Sequence, residues 1–236
     1  MAQSETLRAG ILAGTLPEAL RIYDELKAVP GLRLYILLCR APGEARGRFL
    51  FKHAARWLTG GGRITALSLL LAGRLLFFQK PLDDAESLKS LARLHLDLGL
   101  HKVGVIYREA TIRAFRLGIL NPHIGLLPRY RGRAVLEWSL LEGWPTGITL
   151  FFIDQGIDTG ERIVLREEVD VSHCRSIEEA KLYLFNLDAR FFRRAIEKLK
   201  EEGFGYERNH REAGRRYYVM SGLFLNVAEK LMNDGG

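Results

Sequence analysis

Cysteine is nearly absent from this chain. Cys39 and Cys174 are the only two, far apart and without metal-ligand or redox spacing. That excludes a disulfide scaffold and leads us to expect no metal site. No secretory leader precedes the first apolar run, so a reducing, cytoplasmic setting is expected. Long apolar runs are missing too. The longest, Ile64 to Phe78, contains Arg74 and falls short of the ~20 residues of a membrane-spanning helix; it reads as a buried or amphipathic helix. No Gly-x-Gly-x-x-Gly follows the first strand, so dinucleotide binding has no support. No Lys-Ser/Thr pair follows Gly60-Gly61-Gly62 to complete a phosphate loop, so that triplet reads as a connection between helices. Acidic charge is in deficit: 35 Lys and Arg against 28 Asp and Glu give a formal net charge of +7. Such a surface attracts anions without choosing among them. The basic residues are spread along the chain with no interleaved aromatics of an RNA-binding motif.

What is present is the periodicity of an α/β domain. The 236 residues, 47% hydrophobic, suffice for one sizeable core. Strand (Leu7–Leu12), helix (Leu16–Val29, stopped by Pro30-Gly31) and strand (Leu34–Cys39) open the chain, the start of a parallel sheet. Residues 46–79 read as mostly helical, with His53 and Trp57 sharing a face as packing residues. A helix follows over Asp83–Leu98, with Asp83 as N-cap, and a strand over Lys102–Tyr107. Thr111–Arg116 and Ala134–Glu142 read as short helices, Ile148–Ile153 and Glu161–Val171 as strands, with Glu167 and Glu168 solvated. His173-Cys174 lacks a third partner and reads as structural. Ser176–Glu201 is a long amphipathic helix whose Ser176 and Glu179 form a capping box. The tail is polar and basic to Arg216, then helical over Leu223–Met232. We expect an open, mostly parallel twisted sheet with helices on both faces. Residues 1–202 would form its body, and 203–236 a basic segment and helix packed on the same domain.

Residues 121–160 carry the chemistry. Asn121 and His123, two apart after the apolar run Leu117–Leu120, fall on one face of an extended segment. Asp158 follows the second apolar run and a Gly-flanked turn, and reaches His123 if the two strands are neighbours. All three are expected in loops at strand ends, the carboxyl ends of the central strands. An amide, an imidazole and a carboxylate that orients it suit acyl transfer. Asn-x-His alone fits a satisfied polar pair, and Asp-x-Gly alone fits a plain turn. Their joint occurrence around Leu-Leu-Pro-x-Tyr-Arg-Gly does not.

That order, Asn-x-His-x-x-Leu-Leu-Pro-x-Tyr-Arg-Gly, then Thr-Gly-x-Thr, then Asp-x-Gly-x-Asp-Thr-Gly, resembles the folate-dependent formyltransferases. These include glycinamide ribonucleotide transformylase, methionyl-tRNA formyltransferase and the sugar N-formyltransferases. The resemblance implies a catalytic trio of Asn121, His123 and Asp158 and 10-formyltetrahydrofolate as formyl donor. It implies a donor pocket at Ile106, Tyr107 and Arg108, where backbone amides and carbonyls match a pterin edge, with Asp154 and Gly156 also assigned to the donor. Arg129, Tyr130, Arg131 and Gly132 are implied to position the acceptor. One departure stands out: many members carry Ser where this chain has Gly125.

The implied reaction moves a formyl group to a primary amine, with a small molecule such as a nucleotide-linked amino sugar or aminated ribonucleotide as the expected acceptor. The residues after Ile163 lack the alternating strands of the barrel that methionyl-tRNA formyltransferases append, which counts against transfer RNA, though tRNA stays open. Hydrolysis of the donor is a further alternative. It is weakened because the first strand begins at Leu7, with no room for the regulatory domain such hydrolases carry. A non-catalytic folate-binding protein is the alternative outside enzymology, and Gly125 alone favours it. A homodimer is left open.

Overall fold

The run Leu7–Ala13 becomes strand β1, buried from Ala9 onward. A strand covered on both faces needs no polar alternation, which is why this run reads as continuously apolar. In the computed structural model, which describes residues 6–41, 43–45, 49 and 62–234, the chain divides into two compact units, Met1–Leu120 and Asn121–Gly236.

In the first unit, helix α1 (Leu16–Leu26) starts with a proline in its first turn and buries Leu16, Ala19, Leu20, Ile22 and Leu26. It connects β1 to β2 (Leu32–Cys39), which pairs with β1 in parallel. The stretch Ile64–Phe78 is not one helix. It is helix α2 (Arg63–Leu71) followed by strand β3 (Leu75–Phe78), parallel to β2. Gly73, at φ 66°, makes the turn, a left-handed conformation that glycine adopts without a Cβ penalty. The other readings over residues 46–61, including the packing of His53 on Trp57, lie outside the described residues.

Helix α3 (Ala85–Leu94) is capped by Asp84, whose carboxylate accepts the Glu86 N–H at 2.9 Å. Asp83, the expected cap, instead pairs with Arg108 at 2.9 Å. The next strand also comes earlier than its β-branched residues suggest: β4 is Leu98–Lys102. It lies between β1 and the start of β5 (Gly118–Ile124), parallel to both. Burial on both sides overrides strand propensity here, so Val103–Tyr107 falls past the strand's end. Helix α4 spans Glu109–Arg113.

In the second unit, β5 carries Asn121 and His123. Strand β6 (Tyr130–Gly132) and helix α5 (Val135–Leu141) follow, then the antiparallel pair β7 (Gly147–Phe152) and β8 (Arg162–Glu168). Helix α6 (Ile177–Leu199) has its Ser176 cap accepting from Glu179 N at 3.1 Å. Glu167 is not merely solvated: both its oxygens engage Arg194 on α6. The tail departs most from expectation. Its polar stretch forms β9 (Glu207–Arg208), antiparallel to β8, and β10 (Arg215–Tyr217), parallel to β6, before helix α7 (Gly222–Asp234). The eight-stranded sheet runs β3-β2-β1-β4-β5-β7-β8-β9, and β10-β6 form a second sheet. This is an α/β architecture with a mostly parallel sheet and helices. Among the described residues no helix is long and apolar enough to cross a membrane.

Candidate active site

Asn121 and His123 lie within β5 itself, not in a loop beyond it. The strand continues to Ile124, so both side chains are fixed by sheet backbone. β5 and β7 are neighbours in the sheet, and the bend after β7 delivers Asp158. The carboxylate meets the ring: His123 Nδ1 lies 3.5 Å from Asp158 Oδ1, with both side chains about nine-tenths buried. The other ring nitrogen, Nε2, lies 2.7 Å from the Tyr130 carbonyl. A carbonyl can only accept, so Nε2 carries a proton. Nδ1 faces the carboxylate, so the ring is held between two acceptors. Phe151 closes one edge, its ring 6.5 Å from the imidazole and nearly perpendicular.

Asp158 is itself held from three directions. Its Oδ2 accepts the Gly132 N–H at 2.8 Å. Its backbone sits at φ 53°, a left-handed conformation that Asp tolerates better than most residues. The Asn209 amide donates to the Asp158 carbonyl at 3.3 Å and to the Gly160 carbonyl at 3.0 Å. Asn209, 2% exposed, is a site-building residue that the sequence does not reveal, because it lies in the basic tail far from the motif. Thr149 is another. Fully buried, it donates to the Gly125 carbonyl at 2.6 Å and accepts from Leu127 N at 3.1 Å. The Thr-Gly-x-Thr pattern was its only signal. Gly125 also has a steric role: a Cβ there would stand 2.8 Å from His123 Nε2, so a side chain at this position displaces the ring.

A pocket of about 220 Å³ opens beside these groups, lined by Asn121, His123, Gly132, Glu137, Lys181 and Phe185 among others. The remaining candidates of the Tyr-Arg-Gly loop are distributed differently. Arg129 is exposed, its guanidinium 3.7 Å above the Trp144 ring. Tyr130 is buried, stacked on Tyr217, and its hydroxyl donates to Glu142 at 2.9 Å. Arg131 donates to the Gly214 carbonyl at 2.9 Å. Asp154 accepts from Gly156 N at 2.9 Å and from the Thr159 hydroxyl at 2.6 Å, an Asx turn that shapes the bend leading to Asp158.

In the first unit, Ile106, Tyr107 and Arg108 line a pocket of about 210 Å³ with Lys80 and Asp83. Ile106 is 84% exposed, whereas the Tyr107 ring is buried and its hydroxyl shares a hydrogen bond of 2.8 Å with His101 Nδ1. Burial, reinforced by the Lys102 charge, pushes the His101 imidazole down to about 4. Burial also raises the Tyr107 hydroxyl well above its ordinary value, so both partners are neutral at pH 7. A lowered histidine is stabilising above its ordinary value of about 6.5, and that contribution is lost as pH falls through about 4. Chemical denaturation at pH 7 and pH 4 is expected to differ by up to about 3 kcal/mol through this residue. His101→Asn should remove that part of the difference.

Both thiols are free and buried. Cys39 is buried and its pKa is pushed up to about 12, while burial also raises Cys174, whose sulfur lies 3.6 Å from His173 Nε2. Among the described residues no group of three or more His, Cys, Asp or Glu could hold a metal ion.

The sequence pattern of formyl transferase matches residues 74–196. The methionyl-tRNA formyltransferase of Syntrophus aciditrophicus (strain SB) is 40% identical over 121 residues, covering 50% of this chain and 38% of that protein. The chain thus spans well under half the length of the curated relatives it matches. Among solved structures, a sugar N-formyltransferase from Shewanella sp FDAARGOS_354 shares the fold, with a TM-score of 0.64 and 14% identity over 97% of this chain and 88% of that one. So does the formyltransferase PseJ from Anoxybacillus kamchatkensis in complex with UDP-4,6-dideoxy-4-formamido-L-AltNAc and tetrahydrofolate, with a TM-score of 0.56 and 15% identity over 97% and 100%.

Proposed function

The chain belongs to the formyl transferase family, and from that membership we propose that it moves a formyl group from 10-formyltetrahydrofolate to a primary amine. The observation that carries this reading is the imidazole of His123 between the Asp158 carboxylate and the Tyr130 carbonyl, with Asn121 lining the same pocket. In the reaction the amine nitrogen bonds to the formyl carbon, and that carbon's bond to the donor nitrogen breaks. The proton lost by the amine ends on the donor nitrogen. Asn121 donates its amide N–H to the developing oxyanion. His123 adds positive charge and a second donor once its Nε2–H turns from the Tyr130 carbonyl, a tightening common when substrate enters a site. Asp158 orients the ring and is the route for the amine's proton.

We assign donor binding to Ile106, Tyr107 and Arg108, and to Asp154 and Gly156. An exposed apolar side chain beside Arg108 and Lys80 suits a flat heteroaromatic group with an anionic tail. For the Tyr107 ring, already engaged by His101, the assignment rests on its backbone. Acceptor positioning is assigned to Arg129, Tyr130, Arg131 and Gly132, of which Arg129 has an exposed guanidinium and Gly132 acts through Asp158. The acceptor we propose is a small amine such as an amino sugar on a nucleotide or an aminated ribonucleotide. Methionyl-tRNA is the second reading, favoured by the curated relatives over the matched segment.

The test is a panel of amines incubated with 10-formyltetrahydrofolate: glycinamide ribonucleotide, nucleotide-linked amino sugars and methionyl-tRNA. The expected result is a mass gain of one formyl group on one of them, with matching release of tetrahydrofolate. Release with no amine present would instead mean hydrolysis. No release with any amine would contradict the proposal.

A further inference from the structure

One side chain in the pocket beside His123 is poorly satisfied. Glu137, in the first turn of α5, is 4% exposed. Its Oε1 engages the Lys181 ammonium, but its Oε2 is buried and has no hydrogen-bond partner among the described residues. Carboxylate oxygens are rarely left this way inside a protein, because the lost hydration is not replaced. The Lys181 contact already balances the charge. What the free oxygen lacks is a donor, an N–H or O–H, rather than a counter-ion. Glu137 and Lys181 line the same pocket as Asn121 and His123, and the pocket's about 220 Å³ admits the end of a molecule.

We propose that Glu137 receives the acceptor's primary amine, its Oε2 taking one N–H in the pocket shared with Asn121 and His123. The inference rests on the formyl-transfer reading for its choice of an amine over other donors. Because Lys181 offsets the carboxylate's charge, Oε2 orients an N–H without holding the nitrogen as a bare counter-ion, and the nitrogen's lone pair stays available for attack. Glu137 is then a specificity-determining residue: it favours an acceptor that ends in an unsubstituted amine and disfavours a tertiary or quaternary nitrogen.

The test uses the full chain, labelled with ¹³C at glutamate carboxyls and histidine rings, and methylammonium chloride as the probe. Saturable shifts of the Glu137 and His123 signals are expected. Tetramethylammonium, which has the same charge but no N–H, should produce none. Glu137→Met should weaken methylammonium binding by about tenfold or more, the cost of losing a charged acceptor. Glu137→Gln, which keeps an acceptor oxygen, should weaken it less. The proposal is overturned if the wild type gives no saturable shift, if tetramethylammonium binds as well, or if the Met and Gln variants lose binding equally. That last pattern would confine Glu137 to its pair with Lys181. The amine panel run in parallel separates the two claims. Glu137-dependent binding with no formyl transfer contradicts the proposed activity and leaves the amine site. Transfer with binding indifferent to Glu137 removes the amine site alone.

Discussion

Asp158→Asn is expected to slow formyl transfer by on the order of 10²-fold or more, the usual cost of disabling a transition-state donor, while the fold is retained. The substitution isolates charge from shape. Residue 158 sits at φ 53°, and Asn adopts that conformation as readily as Asp. The Asn carbonyl oxygen can still accept the Gly132 N–H that Oδ2 accepts now at 2.8 Å. What changes is the group facing His123 Nδ1 across 3.5 Å. An amide NH₂ can only donate there, where the carboxylate only accepts, so the acceptor that orients the ring is lost. Single-turnover rates across pH, with a denaturation midpoint for each variant, measure this. A wild-type rate in Asp158→Asn would remove the carboxylate from the mechanism.

Gly132→Ala is expected to destabilise the protein by roughly 3–5 kcal/mol, backbone strain and overpacking acting together. Gly132 holds φ 102°, where an L side chain is strained. A Cβ there would run into the Tyr217 carbonyl of the paired β10 strand, and a backbone oxygen in a sheet cannot swing away as a side chain would. The same residue donates its N–H to Asp158. Loss of stability and loss of activity should therefore appear together, with urea midpoints and transfer rates falling in one variant. Neighbouring Arg133→Ala, at an exposed position, gives the contrast: little change in stability. A Gly132→Ala midpoint equal to the wild type would mean that the β6–β10 pairing does not bear on the site.

The order of strands and helices was legible wherever a buried run was long. β1, β2, β5, β7, β8 and α6 all announce themselves by continuous apolar residues or 3.6-residue spacing. The meeting of His123 with Asp158 was legible too, because Asn121 and His123 share a strand face and Asp158 sits in a turn of characteristic composition. Three things were not. Leu75–Phe78 continues the apolar character of α2, and only Gly73 marks the change from helix to strand. β4 is set by its partners β1 and β5 rather than by the β-branched residues that follow it. The tail's strands are two and three residues long, too short for any periodicity. Yet one pairs with β8, the other with β6, and between them stands Asn209, which holds the turn of Asp158. Glu137 escaped for a related reason: its partner Lys181 lies on another helix, and one acidic residue on an amphipathic helix reads as surface.

The proposed transfer turns on His123, held by Asp158 across 3.5 Å. Its most direct test is the single-turnover rate of formyl transfer by His123→Ala beside the wild type, each with a verified fold, using the first amine of the panel to gain a formyl group. A loss on the order of 10²-fold or more is expected. A variant that transfers the formyl group at close to the wild-type rate would contradict it.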